Sequence, residues 1–206
     1  MHKTVNHSPL PWERQSVADN KIVLVGMMGS GKSTLGALLA LRLGCSFVDV
    51  DAEIERDAGR RVADIFRDEG ETEFRRREYE TTKRLVEASG ALVLAAGGGA
   101  FCQERIRELL QGRARSVFLR VMEEDLLDRL ARSDVNDRPM LGGDAWRERV
   151  AELLRARYPI YGQADLLLDV GGDEAAEATA ARLHSLIAGT AREAAGPRGG
   201  DTDAEN

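Results

Sequence analysis

Residues 26–34 read Gly-Met-Met-Gly-Ser-Gly-Lys-Ser-Thr, the P-loop spacing G-x-x-x-x-G-K-[ST], directly after the apolar run Ile22-Val23-Leu24-Val25. A nucleoside triphosphate needs several backbone N–H groups converging on closely spaced anionic oxygens, so the chain must pass near the phosphates with no side chain in the way. Gly26, Gly29 and Gly31 meet that need. Lys32 supplies a point charge for the β- and γ-phosphates and Ser33 offers a hydroxyl to Mg²⁺. A helix starting near Lys32 adds the positive end of its dipole. The expected nucleotide cradle is Gly29, Ser30, Gly31, Lys32, Ser33 and Thr34. The amphipathic run Leu35, Leu38, Leu39, Arg42, Leu43 that follows is what a P-loop helix requires.

Other chemistry-bearing residues sit where apolar runs end. Asp49-Val50-Asp51 closes the second such run, Ser46 to Val50. The strand Ala91 to Ala95 ends in Ala-Gly-Gly-Gly and supplies no acid, so Asp49 is the expected metal-side carboxylate. Asp51 is placed to accept a proton from a substrate hydroxyl, or alternatively to cap the helix through Ile54. Gly97-Gly98-Gly99 is costly to order, at about 1 kcal/mol for each glycine, and marks backbone that must approach something closely, a substrate among the candidates. Arg75 and Glu78 share a helix face within a charge run otherwise suited to a solvated surface. An arginine fork beside an acceptor suits a small molecule bearing carboxylate and hydroxyl groups. Arg138, beside Pro139, is placed to close over the phosphates and neutralise charge that develops in transfer.

The elements that position these groups alternate. After the P-loop strand and helix come the strand Ser46–Val50 and helices from Ala52 to Ser89 broken near Gly59 and Gly70. The strand Ala91–Ala95, a helix over Gln103–Gln111, the strand Ser116–Val121 and a helix over Glu123–Ala131 follow. Residues 132–143 have the length and polarity of a lid. A helix from Asp144 to Arg157, the strand Leu166–Leu168 and an Ala-rich helix ending near Ala188 complete the pattern. Short strands alternating with helices predict an α/β fold with a parallel sheet covered on both faces, with chemistry beyond the carboxyl ends of the strands.

The 206 residues suit one domain over 21–189, with a mobile arm over 1–20, where Trp12 reads as an exposed aromatic, and a disordered tail over 190–206. No secretory signal pattern opens the chain and no apolar run reaches the roughly 18 residues that span a bilayer, so a soluble cytoplasmic protein is expected, by default a monomer. Cys45 and Cys102 form no metal or redox motif, and the three histidines form no ligand cluster. The formal net charge of −6 speaks against a nucleic-acid partner, which would require a basic face. Small molecules are the expected partners.

The motifs together resemble the shikimate kinase family from about Lys21 to about Asp169. The resemblance rests on Gly26 to Gly36, Asp49-Val50-Asp51 with Glu53-Ile54-Glu55, and Ala63-Asp64-Ile65-Phe66 leading to Gly70-Glu71-Thr72-Glu73-Phe74-Arg75. It continues through Gly97-Gly98-Gly99-Ala100, Arg138-Pro139-Met140-Leu141 and Arg157-Tyr158-Pro159-Ile160-Tyr161. It implies a P-loop fold of the nucleoside-monophosphate-kinase type, with a five-stranded parallel sheet and a lid, and transfer of the γ-phosphate of ATP, with Mg²⁺, to the 3-hydroxyl of shikimate. By the same resemblance Asp51, Arg75 and Gly97 to Gly99 hold shikimate, Arg75 and Arg157 grip its carboxylate, Arg138 sits on the lid, and Arg132 lies near adenine. Met140 stands where the family more usually has Leu, and Val170-Gly171-Gly172-Asp173 does not follow its adenine-side pattern. Two alternatives stay open on the residues alone: a kinase for gluconate or a nucleoside monophosphate on the same scaffold, and a nucleotide-binding module without transfer chemistry.

Overall fold

A computed structural model describes residues 20–132 and 145–195. The expected N-terminal arm up to residue 19, residues 133–144 with Arg138 and Met140, and residues 196–206 lie outside the described residues.

The apolar runs become β1 (Lys21–Val25), β2 (Ser46–Asp49), β3 (Leu92–Ala95), β4 (Arg115–Arg120) and β5 (Leu166–Asp169), in the order β2-β3-β1-β4-β5, with every pairing parallel. β1 and β3 are buried along their whole length, as strands covered on both faces must be. The helices are α1 (Lys32–Leu43), α2 (Val50–Ala58), α3 (Val62–Glu87), α4 (Glu104–Leu110), α5 (Glu123–Ala131), α6 (Trp146–Tyr161) and α7 (Ala176–Ala195). The five strands, the breaks at Gly59 and Gly70 and the order of helices match the expectation. Gly59 ends α2 in the left-handed region, and Gly70, at φ 83°, interrupts α3.

The largest differences fall at three helix boundaries. α2 begins at Val50 rather than Ala52, because Asp49, not Asp51, is its cap: the Asp49 side chain accepts from the N–H groups of Asp51 and Ala52. α6 runs past Arg157 to Tyr161 and contains Pro159. Its last turn packs the half-buried Tyr158 and the buried Tyr161 against Phe118, with ring centroids 5.2 and 5.3 Å away, which offsets the roughly 3 kcal/mol a proline costs inside a helix. α7 continues to Ala195, so the tail expected from residue 190 begins within a helix.

The P-loop rests on α5. A side chain added at Gly29 would meet Leu126 and Leu130 at 3.2–3.3 Å, and both leucines are fully buried. Replacing Leu130 with Ala should therefore cost about 2–5 kcal/mol, read as a lower urea midpoint with an unchanged slope. A loss under about 0.5 kcal/mol would show that α5 does not support the loop.

Candidate active site

β1 delivers the chain to the P-loop, where Gly26, Gly29 and Gly31 all take positive φ and Gly31 caps α1 in the left-handed region. Lys32 folds back along the loop, its Nζ donating to the carbonyls of Gly26 at 3.0 Å and Met27 at 2.8 Å. Gly29, Gly31, Lys32, Ser33 and Thr34 line a cavity of about 390 Å³. Ser30 differs: its side chain is buried, its hydroxyl makes no hydrogen bond and its N–H donates to Met27 O at 3.2 Å. Arg129 of α5 also lines this cavity, and its Nη2 donates to Gly171 O at 2.6 Å. Sequence reading missed it. The available signal was its place between the core leucines 126 and 130, which fixes the direction in which the helix presents it.

A second cavity, of about 350 Å³, opens beside the first. Asp51, Arg75, Glu78, Gly97, Gly98, Gly99 and Arg157 line it, with Phe66 and Phe74 as its apolar side. Met28, Asp49, Asp51 and Gly98 belong to both cavities. Asp49 joins them: one of its oxygens caps α2 and the other accepts from Ser33 Oγ at 2.5 Å. Those two oxygen groups fit a hard divalent cation. Among the described residues no cluster of three acidic, His or Cys side chains forms a cage.

The groups of the second cavity are tightly coupled. Glu78 is fully buried; its Oε2 accepts from Arg75 Nη1 and from Gln103 Nε2, both at 2.7 Å, and its Oε1 makes no hydrogen bond. Arg75 also donates through Nε and Nη2 to Glu71 and lies 5.3 Å from the Phe74 ring. Arg157, buried, donates to Gly98 O at 3.1 Å, and the Tyr161 hydroxyl donates to the same carbonyl. The glycine run is required by close approach. A Cβ on Gly97 would fall on Glu78 Oε1 and lie 2.8 Å from Asp51 Oδ1; one on Gly99 would lie 2.5 Å from Arg75 Nη2. What the run approaches in this structure is the protein's own charged side chains. Of the described candidates the structure brings together Lys32, Ser33, Asp49, Asp51, Arg75, the three glycines and Arg157. Arg138 lies outside the described residues, and Arg132 is exposed just past α5 and lines neither cavity.

A family model described as shikimate kinase matches residues 28–188. The chain belongs to the shikimate kinase family. The shikimate kinase of Rhodopseudomonas palustris is 39% identical over 183 residues, covering 86% of this chain and 89% of that protein. That of Paramagnetospirillum magneticum is 44% identical over 162 residues, covering 79% and 81%. Among solved structures, shikimate kinase from Acinetobacter baumannii in complex with shikimate superposes with a TM-score of 0.77 at 35% identity, covering 83% of this chain and 94% of that one. The sheet order and P-loop are those of P-loop kinases of the nucleoside-monophosphate-kinase type.

Burial pushes the Asp51 carboxyl up from 3.8 to about 7; the negative charges of Glu78 and Asp49 push the same way, and Lys32 and Arg75 oppose them. Burial raises Glu78 too, against Arg75 and Gln103. The folded chain thus holds the Asp51 proton more tightly than the unfolded chain does, and ligand-free stability falls as pH rises from about 4 to about 7. Asp51→Asn should be about as stable as the parent at pH 4 and more stable at pH 8. The gain should be roughly 1–3 kcal/mol, below the full linkage value because Asp51 is only half-buried. Urea unfolding at the two pH values checks this, and an equal difference at both would refute it.

Proposed function

We propose that this chain transfers the γ-phosphate of ATP to the 3-hydroxyl of shikimate, giving shikimate 3-phosphate and ADP, a step toward chorismate and the aromatic amino acids. The observation that carries the reading is the shared wall: a P-loop cavity and an arginine-lined cavity meet at Asp49, Asp51 and Gly98. Such a wall lets a donor phosphate and an acceptor hydroxyl face each other. The second cavity suits a compact hydroxy acid, with guanidinium groups for its carboxylate and a carboxylate for its hydroxyl.

Arg75 and Arg157 bind the acceptor carboxylate, each already oriented by a fixed partner, Glu78 for the first and Gly98 O for the second. The 97–99 backbone and the Phe66 and Phe74 rings shape the pocket around the carbocycle. Asp51 accepts the hydroxyl proton as the oxygen attacks, and a carboxyl that titrates near neutrality is suited to receive it. On the donor side the P-loop N–H groups and Lys32, released from its two carbonyl partners, hold the phosphates and stabilise charge on the transferring group. Ser33 and Asp49 would hold the Mg²⁺ that neutralises the β- and γ-oxygens. Arg138, outside the described residues, is the proposed further cation for charge on the transferring group. The setting is a cytoplasmic monomer acting on small molecules alone.

A coupled assay of ADP release with shikimate, gluconate or AMP as acceptor tests the reading; it fails if shikimate gives no stimulation. Two variants assign the halves of the site. Lys32→Ala should lower kcat by about 10²–10³ or more, as loss of a preorganised charge does, and near-normal turnover would remove Lys32 from the chemistry. Arg75→Ala should raise the KM for shikimate by at least about tenfold, the worth of a charge-assisted hydrogen bond, with the KM for ATP unchanged. An equal rise in both would indicate a folding defect.

A further inference from the structure

Behind the acceptor pocket lies a larger cavity of about 740 Å³, and Arg75, Gly99 and Arg157 line both. The guanidinium of Arg75 therefore stands in a partition with open space on either side. A side chain with four rotatable bonds loses its orientation in such a place unless something holds it. The Arg75 pairing with Glu71 cannot supply that hold, because Glu71 is largely exposed and exposed pairs are weak.

What holds Arg75 is a closed ring. Its Nη1 donates to Glu78 Oε2; the same oxygen accepts from Gln103 Nε2; Gln103 Oε1 accepts from Arg105 Nε at 3.0 Å. Arg105 Nη2 returns to the start by donating to the Arg75 carbonyl at 2.5 Å, and its guanidinium stacks 4.7 Å from the Tyr79 ring. Two members come from α3 and two from the start of α4, just after the glycine run. Gln103 is the keystone, since it orients Glu78 through one end of its amide and Arg105 through the other. Glu78 is fully buried and cannot replace a lost donor with bulk water.

We propose that Gln103 and Arg105 are positioning residues for acceptor binding. They fix the Glu78 carboxylate and the α3 backbone, so that Arg75 faces the acceptor pocket rather than the cavity behind it. The inference rests on the reading that Arg75 grips the shikimate carboxylate.

Gln103→Glu tests it with almost no change in shape. The substitution keeps the acceptor for Arg105 but replaces the donor to Glu78 with a second carboxylate. Calorimetric titration with shikimate, and with its methyl ester, should show a Kd for shikimate raised roughly tenfold, the lower end of what a hydrogen bond to a charged group is worth. The Kd for the ester, which lacks the charge Arg75 reads, should change far less, and kcat and the KM for ATP should stay near the parent values, while the melting temperature falls because the buried Glu78 loses a donor. Arg105→Lys, which loses the two-ended contact but keeps the charge, should move shikimate affinity the same way. The double variant should cost less than the sum of the two, as members of one ring do. Unchanged shikimate affinity in both variants overturns the proposal, as does a parallel loss for shikimate, its ester and ATP. If the parent protein binds no shikimate at all, the proposed function falls and this inference falls with it, a result distinct from normal binding that the variants leave untouched.

Discussion

One carboxylate, that of Asp49, holds the two halves of the site in register. It closes β2 and caps α2 with one oxygen while the other meets Ser33 on the first turn of α1. The P-loop helix and the acceptor-side helix are thereby fastened to one residue at the carboxyl edge of the sheet. Because that edge is where an open parallel sheet gathers its ligands, the junction sets how far a γ-phosphate can stand from an acceptor hydroxyl. Asp51 takes its place from the same junction. With the cap at Asp49, Asp51 falls in the first turn of α2, and its side chain reaches the wall that the two cavities share.

Gathering Asp51, Glu78, Arg75 and Arg157 around one small pocket is electrostatically expensive. Each charge loses hydration, and a buried ion whose partner is removed costs about 3–5 kcal/mol. The glycine run makes the cluster possible, because its backbone occupies space that any side chain would contest with Glu78 or Arg75. It also turns a carbonyl, that of Gly98, toward Arg157 and Tyr161. The charge balance is left incomplete on the acidic side: Glu78 Oε1 and Asp51 Oδ1 are both buried without a hydrogen bond. A ligand hydroxyl can satisfy such an oxygen, and an incoming carboxylate meets guanidinium groups that are already oriented. Binding energy is thus stored as unmet hydrogen-bonding capacity rather than as a change of fold.

Local pattern made much of this legible. The P-loop spacing, the alternation of apolar runs with helices, and the left-handed glycines 59 and 70 are signals carried by a few neighbouring residues, and each appears where it was expected. Asp51 was harder to read, since an acid at a helix start is equally a cap or a functional group. The outcome turned on which of two carboxylates, 49 or 51, the N–H groups met first. Arg157 had no distinguishing feature of its own and gained weight only through resemblance. Its burial depends on α6 continuing through Pro159, and tyrosine packing against Phe118 on a strand far away in sequence decides that. Arg129, Gln103 and Arg105 were invisible for the same reason: their partners lie 42, 25 and 30 residues away, and nothing periodic marks such pairs.

These long-range contacts also divide the labour of the site. The proposed phosphate- and hydroxyl-side groups sit at strand ends and in glycine loops, where the sheet fixes the backbone, and the two proposed carboxylate arginines sit on α3 and α6. Groups that hold those residues in place sit on α3, α4 and α5, whose own positions come from packing. α5 supports the P-loop through Leu126 and Leu130 and reaches the loop after β5 through Arg129, so both loops share one helix. Only the turn Ala100–Cys102 separates the glycine run from Gln103, the cap of α4, so a shift of that run is passed through Gln103 to Glu78 and on to Arg75. Acceptor recognition and the shape of the 97–99 loop are therefore one property of this fold, and a change at either should be felt at the other even where no substrate atom is touched.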